Sequence, residues 1–79
     1  MQKLDVTCSE LSPDRLVAYF CSPVLDADIF AYLPHVPGLN PFLLRVGDTL
    51  AATVVERNGR LEVTEAFGQR GQRGQMATR

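Results

Sequence analysis

The apolar residues of this chain recur with a period of two in short segments, and no segment sustains the 3.6-residue period of an amphipathic helix. Residues 3–11 illustrate the pattern, since Leu4, Val6 and Cys8 alternate with polar side chains. A half-buried β-strand has this alternation because successive side chains point to opposite faces. Alternation, together with β-branched and aromatic content, predicts five strands, at residues 3–11, 15–21, 28–33, 49–56 and 60–67.

The predicted connections consist of three turns and one long irregular segment. Turns are expected at the Ser-Pro-Asp sequence of residues 12–14, around Asp26, and at the Asn-Gly pair of residues 58–59, which is the strongest hairpin signal in the chain. Residues 34–44 contain three prolines and one glycine, so we expect irregular backbone there with one short helical turn. Within this segment Phe42 is expected to close one end of the fold, and the alternative is that it extends the aromatic side of the second and third strands.

These elements predict an all-β fold, a five-stranded antiparallel Greek-key barrel of the oligonucleotide-binding type. The 79 residues suffice for one domain, and a hydrophobic content of 46% is enough to build a small core. We predict that residues 1–67 form the barrel. Residues 68–79 repeat Arg-Gly-Gln units without apolar periodicity, and we expect them to form a disordered tail.

Charge is divided unevenly between these two parts. All nine acidic residues precede position 66 together with five basic ones, which gives the barrel a net charge of −4, whereas the tail carries three arginines. An acidic barrel argues against charge-driven binding of duplex DNA, but it is compatible with binding of single strands by aromatic stacking.

Several other classes of function lack their sequence signals. The chain has no phosphate-binding glycine loop and no nucleophile motif, so we expect no enzymatic activity. Cys8, Cys21 and the single His35 do not form a zinc motif, and we predict no metal and no cofactor. We see neither a signal peptide nor a membrane-spanning run in the sequence, and two free thiols suit a reducing compartment, so we expect a cytoplasmic protein.

The candidate binding residues lie on the predicted second and third strands. One face of these strands supplies core residues, and the other offers three aromatic rings where an exposed sheet would be polar. Flat rings stack on nucleic-acid bases, and an arginine at the start of the second strand is suited to contact phosphate or an aromatic face. The candidates are Arg15, Val17, Tyr19, Phe30, Tyr32 and, in the long connection, His35. Packing of the same rings against protein remains an alternative. For His35, a surface or loop residue without a binding role is the favoured interpretation, and contact with a base or phosphate is the alternative.

In these segments the chain resembles the cold-shock domain family. That family carries Lys-Gly-Phe-Gly-Phe-Ile on its second strand and Asp-Val-Phe-Val-His on its third. This chain has Arg-Leu-Val-Ala-Tyr-Phe at residues 15–20 and Asp-Ile-Phe-Ala-Tyr at residues 28–32. Its Val-Gly-Asp-Thr-Leu at residues 46–50 is similar to the Glu-Gly-x-x-Val sequence that precedes the family's fourth strand. The similarity extends over residues 4–67.

The resemblance implies a role for individual side chains. Tyr19 and Phe30 would stack on bases, Tyr32 would replace the family's histidine, and Arg15 would replace its lysine. Val17 stands where the family has a stacking Phe. The family's tryptophan on the first strand corresponds to Glu10, whose carboxylate repels phosphate.

Two functions are expected from the sequence. The first is modest-affinity binding of single-stranded RNA or, less favoured, DNA, as in cold-shock-like RNA chaperones and regulators. The alternative is a protein-interaction module with a degenerate binding face, which docks on a transcription or RNA-processing partner or forms a homodimer. The expected state is a monomer or a weak homodimer, without membrane association.

Overall fold

The computed structural model describes residues 2–68, and these residues form a closed barrel of five strands. The strands are β1 (Gln2–Leu11), β2 (Val17–Ser22), β3 (Leu25–Tyr32), β4 (Thr49–Arg57) and β5 (Arg60–Phe67). Their order around the barrel is β1-β2-β3-β5-β4, and β4 pairs back onto β1. The predicted five-stranded barrel of the oligonucleotide-binding type is confirmed. Four of its strand pairs are antiparallel, whereas β3 and β5 are parallel.

The core is built from the alternating inward side chains of all five strands. Phe20 and Ile29 are fully buried and are among the largest side chains in it. The inward residues predicted on β4, which are Leu50, Ala52 and Val54, are all buried. Because every strand has a neighbour on both sides, the barrel presents no free sheet edge.

Two strands begin at least two residues away from their predicted start. β2 begins at Val17 rather than at residue 15, because Arg15 adopts a left-handed backbone conformation with φ of 61°. The turn before β2 is closed by the Ser12 hydroxyl, which accepts a hydrogen bond from the backbone N–H of Val17. β3 begins earlier, at Leu25, so that the turn falls on residues 23–24 and Asp26 belongs to the strand.

The Asn-Gly hairpin between β4 and β5 is confirmed. Asn58 and Gly59 have φ angles of 55° and 77°. Positive φ at both central residues is the conformation of a type I′ turn, which matches the right-handed twist of the strands that it joins. Arg57 and Arg60 face each other across this turn.

The long connection between β3 and β4 supplies part of the core. It starts with the expected short helical turn, a 3₁₀ turn at Leu33–His35, and continues as irregular backbone to β4. Its buried side chains are Leu33, Val36, Leu39 and Leu44. The expectation that Phe42 closes one end of the barrel is wrong, since its side chain is 82% exposed. Leu44, two residues further on, is fully buried instead.

The connection is held to the barrel through its backbone. The N–H of Ala66 donates to the carbonyl of Pro37, and Gly38 lies directly against Ala66. At the other end, Cys8 of β1 exchanges hydrogen bonds with Gly47 and Asp48, both of 2.8 Å. The connection is therefore anchored on β5 and on β1.

Within residues 2–68 we find no helix of the length and apolar character needed to cross a membrane. Of the predicted tail, residues 69–79 lie outside the described residues.

Candidate nucleic-acid interface

The candidate side chains of β2 and β3 lie next to one another because of the strand register. Val17 pairs with Tyr32, and Tyr19 pairs with Phe30. The residues between them in each strand are buried in the core, so that these four point to the outside of the barrel. We call Val17, Tyr19, Phe30 and Tyr32 the aromatic face. Tyr19 and Tyr32 are 37% and 39% exposed, and the other two are half-buried.

The rings of this face contact one another edge to face. The Tyr19 and Phe30 centroids are 5.8 Å apart at an interplanar angle of 64°. Tyr32 makes a similar contact with His35, with centroids 4.8 Å apart at 83°. His35 is exposed and belongs to the 3₁₀ turn that follows β3, so that it extends the aromatic face beyond the end of the strand.

Arg15 does not lie with these residues on β2. Its Nη1 atom donates hydrogen bonds to the carbonyl oxygens of Pro41 and Leu44, both of 2.8 Å. The side chain is half-buried and ties the β1–β2 turn to the long connection. The structure thus gives Arg15 a structural role, and its contact with phosphate stays a prediction.

Two other arginines lie beside the aromatic face, and sequence reasoning did not select them. The Arg60 guanidinium carbon lies 4.8 Å from the centroid of the Phe30 ring. Arg57 forms an ion pair with Glu62 at 3.3 Å. Both arginines flank the Asn-Gly turn, but only the parallel pairing of Phe30 with Glu62 brings this hairpin next to β3. Because this contact joins residues that are far apart in the chain, no local sequence pattern predicts it.

A shallow groove borders the aromatic face on each side. The β3–β5 groove, of about 340 Å³, is lined by residues that include Phe30, Tyr32, His35, Arg57, Glu62 and Thr64. The β1–β2 groove, of about 280 Å³, is lined by Glu10, Leu11, Ser12, Pro13, Val17 and Tyr19. Both are near the lower limit of typical ligand pockets. Each therefore suits a single ring or side chain better than a large substrate.

Two ionisable groups have altered pKa values for local reasons. A hydrogen bond from the Ser12 hydroxyl, at 2.6 Å, lowers the pKa of the Asp14 carboxyl, and the N–H of Leu16 adds to this effect. Burial raises the pKa of the Cys8 thiol. Asp14 is therefore a stable carboxylate at the β1–β2 turn, and Cys8 is a protonated core residue.

Across residues 2–68, no group of three or more His, Cys, Asp or Glu side chains is placed to hold a metal ion. The described cysteines are both free, Cys8 inside the barrel and Cys21 exposed. The site thus combines aromatic rings, two arginines and two small grooves.

No family model matches this chain, and no curated protein matches it either.

Proposed function

We propose that this protein binds single-stranded RNA or DNA by stacking bases on Tyr19, Phe30 and Tyr32. The observation that carries the proposal is the register of β2 and β3, which places these rings on one outward surface. An exposed aromatic surface on a barrel of the oligonucleotide-binding type is suited to stack bases of any sequence, at about 1–3 kcal/mol per base.

The spacing of the rings favours single strands over duplexes. Phe30 and Tyr32 are two residues apart on β3, which is about 6.6 Å at the usual rise of a strand. Stacked bases in a duplex strand follow one another at about 3.4 Å. Bases that occupy both rings must therefore be pulled apart from each other, which a single strand permits and a duplex resists.

The charges around the face support modest affinity. Arg60 against Phe30 and Arg57 at the edge of the β3–β5 groove can approach the phosphates of a strand that crosses the rings. The remainder of the barrel is acidic, and this lowers the attraction for a polyanion. We expect a shallow salt dependence, with a slope near −1 for one or two phosphate contacts on a single strand, at about 0.7 per contact. Weak, reversible binding of this kind suits a cytoplasmic RNA chaperone or regulator, which is the role that we propose for the protein.

The proposal predicts that Tyr19→Ala and Tyr32→Ala each weaken binding of a mixed-base heptamer by about tenfold, because each removes one stacking partner. Both rings are partly exposed, so both variants should stay folded. The measurement is a titration of the isotope-labelled protein by two-dimensional NMR, with the heptamer as RNA and as DNA. Amide shifts should centre on residues 17–19 and 30–35.

Phe42→Ala is the matched control, since Phe42 is an exposed ring in the long connection and lines neither of the two grooves. Its affinity should equal that of the unaltered protein. The proposal fails if the heptamer shifts no amide of the aromatic face at high excess, or if Phe42→Ala costs as much affinity as Tyr19→Ala.

A further inference from the structure

The β1–β2 groove differs in chemistry from the β3–β5 groove on the other side of the aromatic face. Its walls are the apolar side chains of Leu11, Pro13 and Val17 and the ring of Tyr19. Glu10 lies at this groove directly opposite Tyr19 in the β1–β2 register. A small apolar slot that carries one carboxylate suits an apolar group with a cation beside it.

No basic side chain of residues 2–68 forms an ion pair with the acidic charge at this groove. Among the described residues, Arg57 and Glu62 form the one ion pair, so that Glu10 has no basic partner there. Asp14, in the turn that borders the groove, is a carboxylate at neutral pH, and the Ser12 hydroxyl that donates to it lowers its pKa further. Arg15 follows Asp14 in the sequence, but its Nη1 atom donates to the carbonyl oxygens of Pro41 and Leu44, and it forms no ion pair with Asp14 or Glu10.

The two sides of the aromatic face therefore differ in charge. β1 lies on one side of β2 and β3 and contributes Glu10, while β5 and β4 lie on the other and contribute Arg60 and Arg57. A nucleic-acid backbone is favoured beside the arginines and is disfavoured beside Glu10, because like charges repel. We therefore expect the occupant of the β1–β2 groove to carry a positive charge.

We propose that the β1–β2 groove binds a segment of a partner protein that presents an aromatic side chain flanked by Lys or Arg. The ring packs against Val17, Pro13 and Tyr19, and the cation pairs with Glu10. Since Tyr19 belongs both to this groove and to the aromatic face, the segment and an oligonucleotide compete for Tyr19 and leave Phe30 and Tyr32 uncontested. This proposal rests on the groove alone and does not require that Phe30 and Tyr32 bind nucleic acid.

The test uses four short capped peptides and NMR titration of the full chain. The probes are Gly-Arg-Trp-Arg-Gly, its neutral form with Gln for Arg, its acidic form with Glu for Arg, and its ring-less form with Ala for Trp. The arginine–tryptophan peptide should shift the amides of residues 10–12 and 17–19. Loss of the ring should cost more than about tenfold in affinity, as for an anchor side chain, and the acidic peptide should bind weakest.

Glu10→Gln identifies the carboxylate, with Glu65→Gln as a control of equal charge change at an exposed residue outside the groove. Glu10→Gln should weaken the arginine–tryptophan peptide by about two- to fivefold, as expected for an exposed ion pair, and should leave the neutral peptide unchanged. Glu65→Gln should leave both unchanged.

Three results would overturn the proposal. The first is no shift at residues 10–12 and 17–19 with the arginine–tryptophan peptide in large excess. The second is equal binding of the acidic peptide. The third is an oligonucleotide that shifts residues 10–12 as strongly as residues 30–35, because the groove would then belong to a nucleic-acid site.

Discussion

At the scale of single residues, side chains of the same type have different roles because the backbone places them in different surroundings. Arg15 has a left-handed φ of 61°, and its guanidinium bonds the carbonyls of the long connection. Arg60 begins β5 and lies over the Phe30 ring. The cysteines diverge in the same way, since Cys8 points into the core and Cys21 points out of β2 on the same side as Tyr19.

We expect N-ethylmaleimide to modify only Cys21 in the native protein at neutral pH. Cys8 is 1% exposed, and burial raises its pKa, so that the reactive thiolate is neither accessible nor populated. Intact mass spectrometry should show one added label in the folded state and two after denaturation. Native Cys21→Ser protein should take none, and a second label without denaturant would contradict the assignment of Cys8 to the core.

At the scale of elements, irregular positions decide how the strands and the connection fit together. In β5, Val63 and Glu65 pair with consecutive residues of β4, so that Thr64 is an extra residue, a β-bulge. The bulge changes the alternation and turns Ala66, rather than Glu65, into the core. Ala66 then contacts Gly38, and the connection packs onto β5 at that point.

Gly38→Ala should destabilise the fold by more than about 3 kcal/mol. Gly38 has a φ of +85°, which is strained for a residue with a side chain, and the new Cβ would collide with the carbonyl oxygen of Ala66. Gly59→Ala is the control, because Gly59 has a φ of +77° but nothing within 4 Å of a Cβ. It should cost only about 1–2 kcal/mol.

Urea denaturation followed by circular dichroism compares the two glycine variants directly. Equal losses of stability would mean that backbone strain alone accounts for both, and that the contact between the connection and β5 is not tight.

At the scale of the whole molecule, the closed barrel has one core shared by every strand and by the connection. A domain of this size buries a modest share of its surface, and a single core of this kind supplies only about 3–5 kcal/mol of net stability. The core therefore has little tolerance for a lost large side chain, whereas the exposed surface has much more.

Phe20→Ala should leave the protein largely unfolded at room temperature, since truncation of a fully buried Phe costs about 3–5 kcal/mol. Phe42→Ala should change stability by no more than about 0.5 kcal/mol, because Phe42 is 82% exposed. Thermal unfolding followed by circular dichroism tests the pair. A cooperative transition of Phe20→Ala near that of the unaltered protein would show that the core does not depend on this ring.

The strands, the Asn-Gly hairpin and the outward direction of the aromatic side chains follow from the sequence alone. Each depends on residues that are close in the chain. Alternation along β2 directs Tyr19 and Phe20 to opposite faces of the strand, and the Asn-Gly pair permits positive φ. The start of β3 at Leu25 does not follow from the sequence, because an aspartate such as Asp26 is found on the exposed face of a strand as well as in a turn. Local polarity does not distinguish these two settings.

The tertiary structure alone decided the contacts between distant segments. The parallel pairing of β3 with β5 brings Arg60 to Phe30, two carbonyls of the connection accept from Arg15, and Leu44 rather than Phe42 enters the core. Such contacts depend on how the barrel closes, on the bulges that change its alternation, and on competition among side chains for one enclosed volume. The sequence by itself determined the strands and the composition of the candidate face, because backbone sterics and side-chain periodicity are local. The neighbours of that face depend on long-range packing, which only the folded chain specifies.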